Sequence, residues 1–315
     1  MKTKTIAFRV ALVCIFAASL GSPAAAADHL ATPKSVHGLY IGIGDAISSK
    51  FLDRVQIYQK HGINTLVIDI RSSGSSLLVI SDAKTATLVQ KLHEKHIYVV
   101  ARIIAFEGNR KWYDPSSQER WKTIASVSLR AAALGFDEIN YDYVRYGSVN
   151  EPGSATPVAE RISVIEKFFR FLREEVANKA DVPISCDLFG IILLTSQKSI
   201  GQNVEIAAKN FDYVCPMSYP SHWSAGSFGF DNPAHHPYET VKKNLAPWQK
   251  TSATAGSRAK LRVWIQAFGL DSHMRPYFYG AKEIQDQIRA AEEAGASGWM
   301  LWNARCNYPE SIFQK

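Results

Sequence analysis

The chain of 315 residues carries 36 Lys+Arg against 29 Asp+Glu, a net charge of +7, with 46% hydrophobic and 21% charged residues. That balance excludes a disordered chain, and four cysteines exclude a disulfide-dense scaffold. The length suits either two modest domains or one large barrel.

Residues 1–27 read as a secretory signal peptide. Lys2 and Lys4 make a basic start, and a largely apolar stretch runs from Ile6 to Leu20. Gly21-Ser22-Pro23 then break the run, and Ala24 to Ala27 supply the small residues of a cleavage site. The stretch is too short to span a bilayer, and Val13 before Cys14 fits a lipoprotein signal poorly. The mature protein is therefore expected to be secreted or periplasmic, with no stable membrane insertion. Loss of the leader removes Lys2, Lys4 and Arg9 and no acid, which lowers the net charge from +7 to +4. No Lys/Arg run or basic stripe remains, so no nucleic-acid partner is expected. Cys186, Cys215 and Cys306 remain on or just after apolar strand-like runs, where buried thiols are expected.

From Val36 onward, short apolar β-rich runs alternate with longer helical patterns. Val36–Gly42 leads to a helix over Ser49–His61, Thr65–Ile70 to Lys84–Lys95, and Tyr98–Phe106 to Ser117–Leu134. Glu138–Tyr146 leads to Pro157–Ala177, Pro183–Phe189 to Asn203–Lys209, and Tyr213–Tyr219 to Pro237–Trp248. Arg262–Phe268 leads to Ala281–Ala294, and Gly298–Asn303 closes the series. Helical spacing is plain in Ile162, Ile165, Phe168, Phe169 and Leu172. Gly62, Gly135 and Gly295 stand just past helix ends, as helix stops require. Eight strand–helix units over residues 28–315 predict a single-domain α/β protein, a (β/α)8 TIM barrel. A doubly wound open sheet is the alternative, but Gly42-Ile43-Gly44 is too short for its phosphate turn.

Active sites of such barrels lie at the carboxyl ends of the strands. There the second run carries Asp69, the third Arg102, the fourth Asp142 and then Arg145, and the fifth Asp187. By period-two alternation Asp142 shares a face with Asn140, and Asp187 shares one with Ser185. A carboxylate on a buried strand is costly unless paired or protonated, and three on neighbouring strands point to chemistry. Asp69 has two readings, a substrate-binding acid or a structural partner of Arg102. The late strands end in Tyr219, His222, Gln266, Trp302 and Asn303, whose rings and neutral polar groups suit sugar faces and hydroxyls. Core packing is the reading for Trp264 or Trp299.

Gly135-Phe136-Asp137-Glu138-Ile139-Asn140-Tyr141-Asp142-Tyr143-Val144-Arg145-Tyr146 resembles the hallmark strand of the "putative glycosyl hydrolase domain" family of TIM barrels. Further resemblances are Val67-Ile68-Asp69, Ile97–Ile103, Asp212–His222 and Leu301-Trp302-Asn303. The resemblance implies a barrel akin to secreted glycosidases. Tyr146-Gly147 stands where that family usually has Phe-Pro, and Phe106-Glu107 where it usually has Phe-Lys.

Glycoside hydrolysis needs two carboxyl groups, one to protonate the leaving oxygen and one to attack the sugar or activate water. Asp142 is expected as the nucleophile or an ion-stabilising carboxylate and Asp187 as the general acid/base. Asp69, Arg102, Arg145, Tyr219, His222, Gln266, Trp302 and Asn303 are expected to bind an oligo- or polysaccharide. A non-catalytic carbohydrate-binding barrel is the alternative. His93-Glu94-Lys95-His96 has the wrong spacing for a zinc helix, so no metal or other cofactor is expected. A monomer is expected.

Overall fold

The computed structural model describes residues 28–70, 81–108, 111–147, 150–269 and 279–313. The signal peptide read over residues 1–27 lies outside them. Within the described residues eight parallel strands close into a barrel. They are β1 (Val36–Gly42), β2 (Thr65–Asp69), β3 (Tyr98–Ile104), β4 (Glu138–Asp142), β5 (Ile184–Phe189), β6 (Tyr213–Met217), β7 (Val263–Gln266) and β8 (Gly298–Trp302). Among the described residues the main helices between them are α1 (Phe51–Lys60), α2 (Asp82–His93), α3 (Gln118–Ala133), α4 (Val158–Leu172), α5 (Val204–Asn210), α6 (Pro237–Leu245) and α7 (Ala281–Glu293).

Strands β1 to β6 neighbour one another in chain order, and β8 pairs with both β1 and β7. The ring closes between β6 and β7, where Trp264 is in register with Met217. Arg262 N–H donates to Val214 O at 3.0 Å and Ser218 N–H to Trp264 O at 3.2 Å across this seam. The result is the expected (β/α)8 TIM barrel as a single domain.

Every residue of β2, β3 and β4 is buried. That is why they read as continuous apolar runs rather than alternating ones: one face fills the barrel and the other lies under helices. On α4 the buried side chains are Ile165, Phe168, Phe169 and Leu172, one stripe of the helix. Phe168 lies 4.7 Å from Phe106 and 5.5 Å from Trp121, while Phe169 meets Phe211 edge-on at 4.8 Å. Ser117 and Asn203 cap α3 and α5, their side-chain oxygens accepting from the N–H groups of Arg120 and Ile206. At the barrel floor, Asp137 accepts from Leu30 N–H at 2.6 Å and Val99 N–H at 2.7 Å, which ties the segment before β1 to β3.

Several elements end earlier than their apolar patterns do. β4 stops at Asp142 because Tyr143 takes a left-handed conformation, φ +54°, and turns the chain. β3 stops at Ile104, and Glu107–Gly108 then pairs with Lys111–Trp112 as a small hairpin beside the barrel mouth. α4 passes at Arg173 into a π-helical turn that runs to Ala177. The helical pattern over residues 237–248 splits, since Pro247 lacks the N–H needed to continue α6 and a separate turn begins at Trp248. Cys186, Cys215 and Cys306 are free and buried. Among the described residues no helix is long and apolar enough to cross a membrane.

Gly298 opens β8 with φ +149°, and a Cβ there would lie 2.3 Å from Val36 O and 2.5 Å from Val36 N. Gly298→Ala should therefore push β8 off β1 and cost about 2–3 kcal/mol of stability. A urea unfolding midpoint equal to that of the wild type would contradict this account of the seam.

Candidate active site

The carboxyl ends of the strands surround a cavity of about 730 Å³. Arg102, only 2% exposed, is its central charge. Backbone register places Arg102 opposite Asp69 on β2 and Asn140 on β4, with Asp142 two residues further along. The guanidinium thus reaches three acids. Nη1 lies 3.3 Å from Asp69 Oδ2, Nη2 pairs with Asp142 Oδ2, and Nε lies 3.6 Å from Asp187 Oδ2. Its plane lies under aromatic rings, 5.0 Å from the Trp302 centroid and 5.5 Å from that of Tyr40. Burial alone would loosen its proton, but the three carboxylates outweigh that and raise its pKa above the ordinary value. Arg102 is a permanent cation.

One cation cannot neutralise three buried carboxylates, so the acids divide into different roles. Asp187 is the least exposed of them, at 2%. Burial, followed by the nearby charge of Asp142, pushes its pKa up to about 8. Hydrogen bonds from Asn140 Nδ2 (2.8 Å) and Trp264 Nε1 (2.7 Å) to Oδ1 oppose that rise without cancelling it. Asp142 is anchored at both oxygens, by Arg102 at Oδ2 and by the Tyr143 N–H at Oδ1 (2.5 Å). The left-handed turn at Tyr143 is what aims that N–H back at the strand-end carboxylate. Asp69 accepts from the Tyr40 hydroxyl at Oδ2 (3.2 Å), whereas its buried Oδ1 has no hydrogen-bond partner among the described residues.

The walls differ in character. Arg145 is half-buried beneath three rings, 4.4 Å from Trp112, 5.0 Å from Phe189 and 5.6 Å from Tyr143, and donates to Tyr146 O at 3.0 Å. Across from it, Tyr219 packs edge-on against His222 at 5.2 Å and Phe268 at 5.7 Å. Burial lowers the pKa of His222, which keeps its imidazole neutral at neutral pH. Trp302 leans on Tyr40 at 4.1 Å and meets Trp264 edge-on at 5.6 Å.

Of the residues singled out in the sequence, Asp69, Arg102, Asp142, Arg145, Asp187, Tyr219, His222 and Trp302 all line this cavity. Gln266 and Asn303 do not. Gln266 accepts from Ser221 N–H and donates to Phe268 O, joining two loops, and Asn303 donates to Ala267 O and Asn307 O. Their amides are spent on backbone, so they shape the rim instead of facing a ligand. Trp264 reverses the packing role open to it: it lies inside the barrel against Asp187, while Trp299 stacks on His37 at 4.7 Å. Tyr40, Tyr143 and Glu107 also line the cavity without having been singled out. Tyr40 carried a usable signal, as an aromatic near the carboxyl end of β1. Tyr143 and Glu107 lie on loops that alternation does not reach.

The sequence pattern described as "putative glycosyl hydrolase domain" matches residues 107–308. The chain belongs to that family, whose matched stretch takes in β4 to β8 with Asp142 and Asp187. The resemblances read at Val67–Asp69 and Ile97–Ile103 fall before it. None of the curated proteins matches the chain.

Among solved structures, the C-terminal domain of a putative chitinase from Desulfitobacterium hafniense superimposes with a TM-score of 0.63 at 13% identity. That match covers 89% of this chain and 96% of the other. A Rhizomucor miehei chitinase gives 0.59 at 15% identity over 88% and 97% of the two chains. The Bacillus cereus spore cortex-lytic enzyme SleL gives 0.57 at 13% identity over 90% and 74%. At such identities the likeness is one of fold.

The raised Asp187 couples stability to pH. The folded chain holds this proton more tightly than the unfolded chain, so its contribution is full below the ordinary Asp value of about 4. It is lost as pH rises toward about 8. Asp187→Asn removes the titration, so the variant should gain on the wild type in melting temperature between pH 5 and pH 8.5. A difference that stays constant over that range would show that Asp187 is not held neutral.

Proposed function

We propose that the protein is a secreted glycoside hydrolase that cleaves an oligo- or polysaccharide, with Asp142 as nucleophile and Asp187 as general acid/base. The observation that carries this reading is the division of labour around Arg102. Asp142 is ion-paired to the guanidinium as a carboxylate, while Asp187 keeps a proton that it can give away near neutral pH. Family membership and a fold shared with chitinases and a cortex-lytic enzyme support a glycosidic bond as the target.

In the first step an Asp142 oxygen bonds to the anomeric carbon as the glycosidic C–O bond breaks. The proton of Asp187 goes to the departing oxygen, which leaves as an alcohol. In the second step Asp187, now a carboxylate, takes a proton from water, whose oxygen displaces Asp142 from the sugar. Nε and Nη2, the two guanidinium nitrogens that face Asp187 and Asp142, share one edge of Arg102. Both acids thus meet the same side of the guanidinium, and the two displacements written above retain the anomeric configuration. Asp69 lines the same cavity as a third carboxyl group, and Tyr219 and Trp302 offer apolar ring faces.

Asp142→Asn and Asp187→Asn should each lower kcat/KM by about 10³-fold or more with the fold intact, in a screen of defined polysaccharides and oligosaccharides. The wild type should lose activity above about pH 8 as Asp187 deprotonates. The first product seen by NMR should keep the substrate's anomeric configuration. Full turnover by either folded variant overturns the assignment, and sugar binding without hydrolysis by the wild type would favour a carbohydrate-binding barrel.

A further inference from the structure

Below the aspartate layer the barrel holds a second buried ion pair that the proposed reaction does not use. Glu138 and Arg262 are both fully buried, with Arg262 Nη1 donating to Glu138 Oε1 at 2.7 Å. A pair taken so far out of water contributes little net stability by itself, and its retention calls for another explanation.

Hydrogen bonds lead upward from it. The Ser185 hydroxyl donates to Glu138 Oε1 at 2.6 Å, so its single proton is committed downward. Towards Asn140 it can only accept, and Asn140 Nδ2 donates to it at 3.1 Å. The same NH2 group donates to Asp187 Oδ1 at 2.8 Å. From β7 the Trp264 indole N–H, which can only donate, reaches that same oxygen at 2.7 Å. Oδ1 of Asp187 thus receives two fixed donors, and an O–H on it would point into N–H groups. Oδ2 faces the Arg102 edge of the cavity.

We propose that Trp264 and Asn140 are positioning residues that reserve Oδ1 of Asp187 as an acceptor and place its exchangeable proton on Oδ2, and that Glu138, acting through Ser185, sets the orientation of the Asn140 amide. Were the Ser185 hydroxyl free to turn, Asn140 could present its carbonyl to Asp187 and draw the proton onto Oδ1. The polarity of the floor layer is thereby transmitted to the layer where the reaction takes place. Its bearing on catalysis rests on the proposed role of Asp187, but the position of the proton does not. The other groups that titrate or carry charge beside Asp187 are Arg102 from β3, Asp142 from β4, Cys186 from β5 itself, Cys215 from β6 and Tyr219 beyond β6.

The test is a carboxyl ¹³C NMR titration of the aspartate-labelled protein, with Asp187→Asn identifying the Asp187 signal. Trp264→Phe deletes one donor to the ionised form and should move the Asp187 midpoint up by about one pH unit. Ser185→Ala touches neither Asp187 nor the cavity, yet should move the same midpoint upward while circular dichroism stays unchanged. Midpoints unmoved in both folded variants overturn the proposal, and a shift in Trp264→Phe alone overturns the part assigned to Glu138 and Ser185. If Trp264→Phe fails to fold, Ser185→Ala decides the matter alone. No substrate enters the titration, so an Asp187→Asn variant of full activity would defeat the proposed function without deciding this inference.

Discussion

A single guanidinium shared by three aspartates is the interaction on which the mouth of this barrel depends. Without Arg102, Asp69, Asp142 and Asp187 would be like charges in a largely buried layer, each costly to keep ionised. With it, two of them find direct ion pairing and the most buried keeps its proton. The asymmetry arises from geometry: Arg102 presents Nη1 and Nη2 to Asp69 and Asp142, while the longer Nε approach leaves Asp187 to neutral donors. The aspartates thus differ in their surroundings before any substrate arrives, which the proposed acid–base chemistry requires.

That arrangement needs a rigid support, and the closed parallel sheet supplies it. Each of β2 to β5 is paired in parallel with a strand on either side, so side chains at the strand ends inherit the register. The barrel interior also departs from a purely apolar filling. Glu138, Ser185, Asn140 and Asp187 form one hydrogen-bonded column through it, with Arg262 at the base and Trp264 at the top. Asn140 Oδ1 and Arg262 Nε and Nη2 have no hydrogen-bond partner among the described residues. The bonds that are made still favour one arrangement over its rotamers, because each broken bond would strand a further polar group away from water.

The loops add a different kind of surface. Arg145 lies under Trp112, Tyr143 and Phe189, which come from the β3–α3 hairpin, the turn after β4 and the end of β5. Three separate chain segments therefore meet on one cation at the rim. On another wall, Tyr219 and His222 from the segment after β6 meet Phe268 from the segment after β7, with Tyr219 edge-on to both rings. The cavity thus combines charged groups with aromatic rings, the pairing that the proposed carbohydrate substrate calls for.

Much of this was legible along the chain. Alternating apolar runs and helical stripes mark eight strands and seven helices, because strand and helix periodicity follow from local geometry. Asp69, Arg102, Asp142 and Asp187 stand out because charged residues seldom sit on strands that are otherwise apolar. Residue order alone could not say which groups meet across the barrel. Trp264 reaches Asp187 from two strands away, and Gln266, one alternation further on, is drawn off by the backbone of two loops. Tyr143 leaves its strand because the chain turns there, not because its type demands it. Local sequence therefore determined the elements and the candidate charges, while strand tilt, closure of the β6–β7 seam and loop packing decided which charge faces which, since those distances depend on residues far apart in the chain.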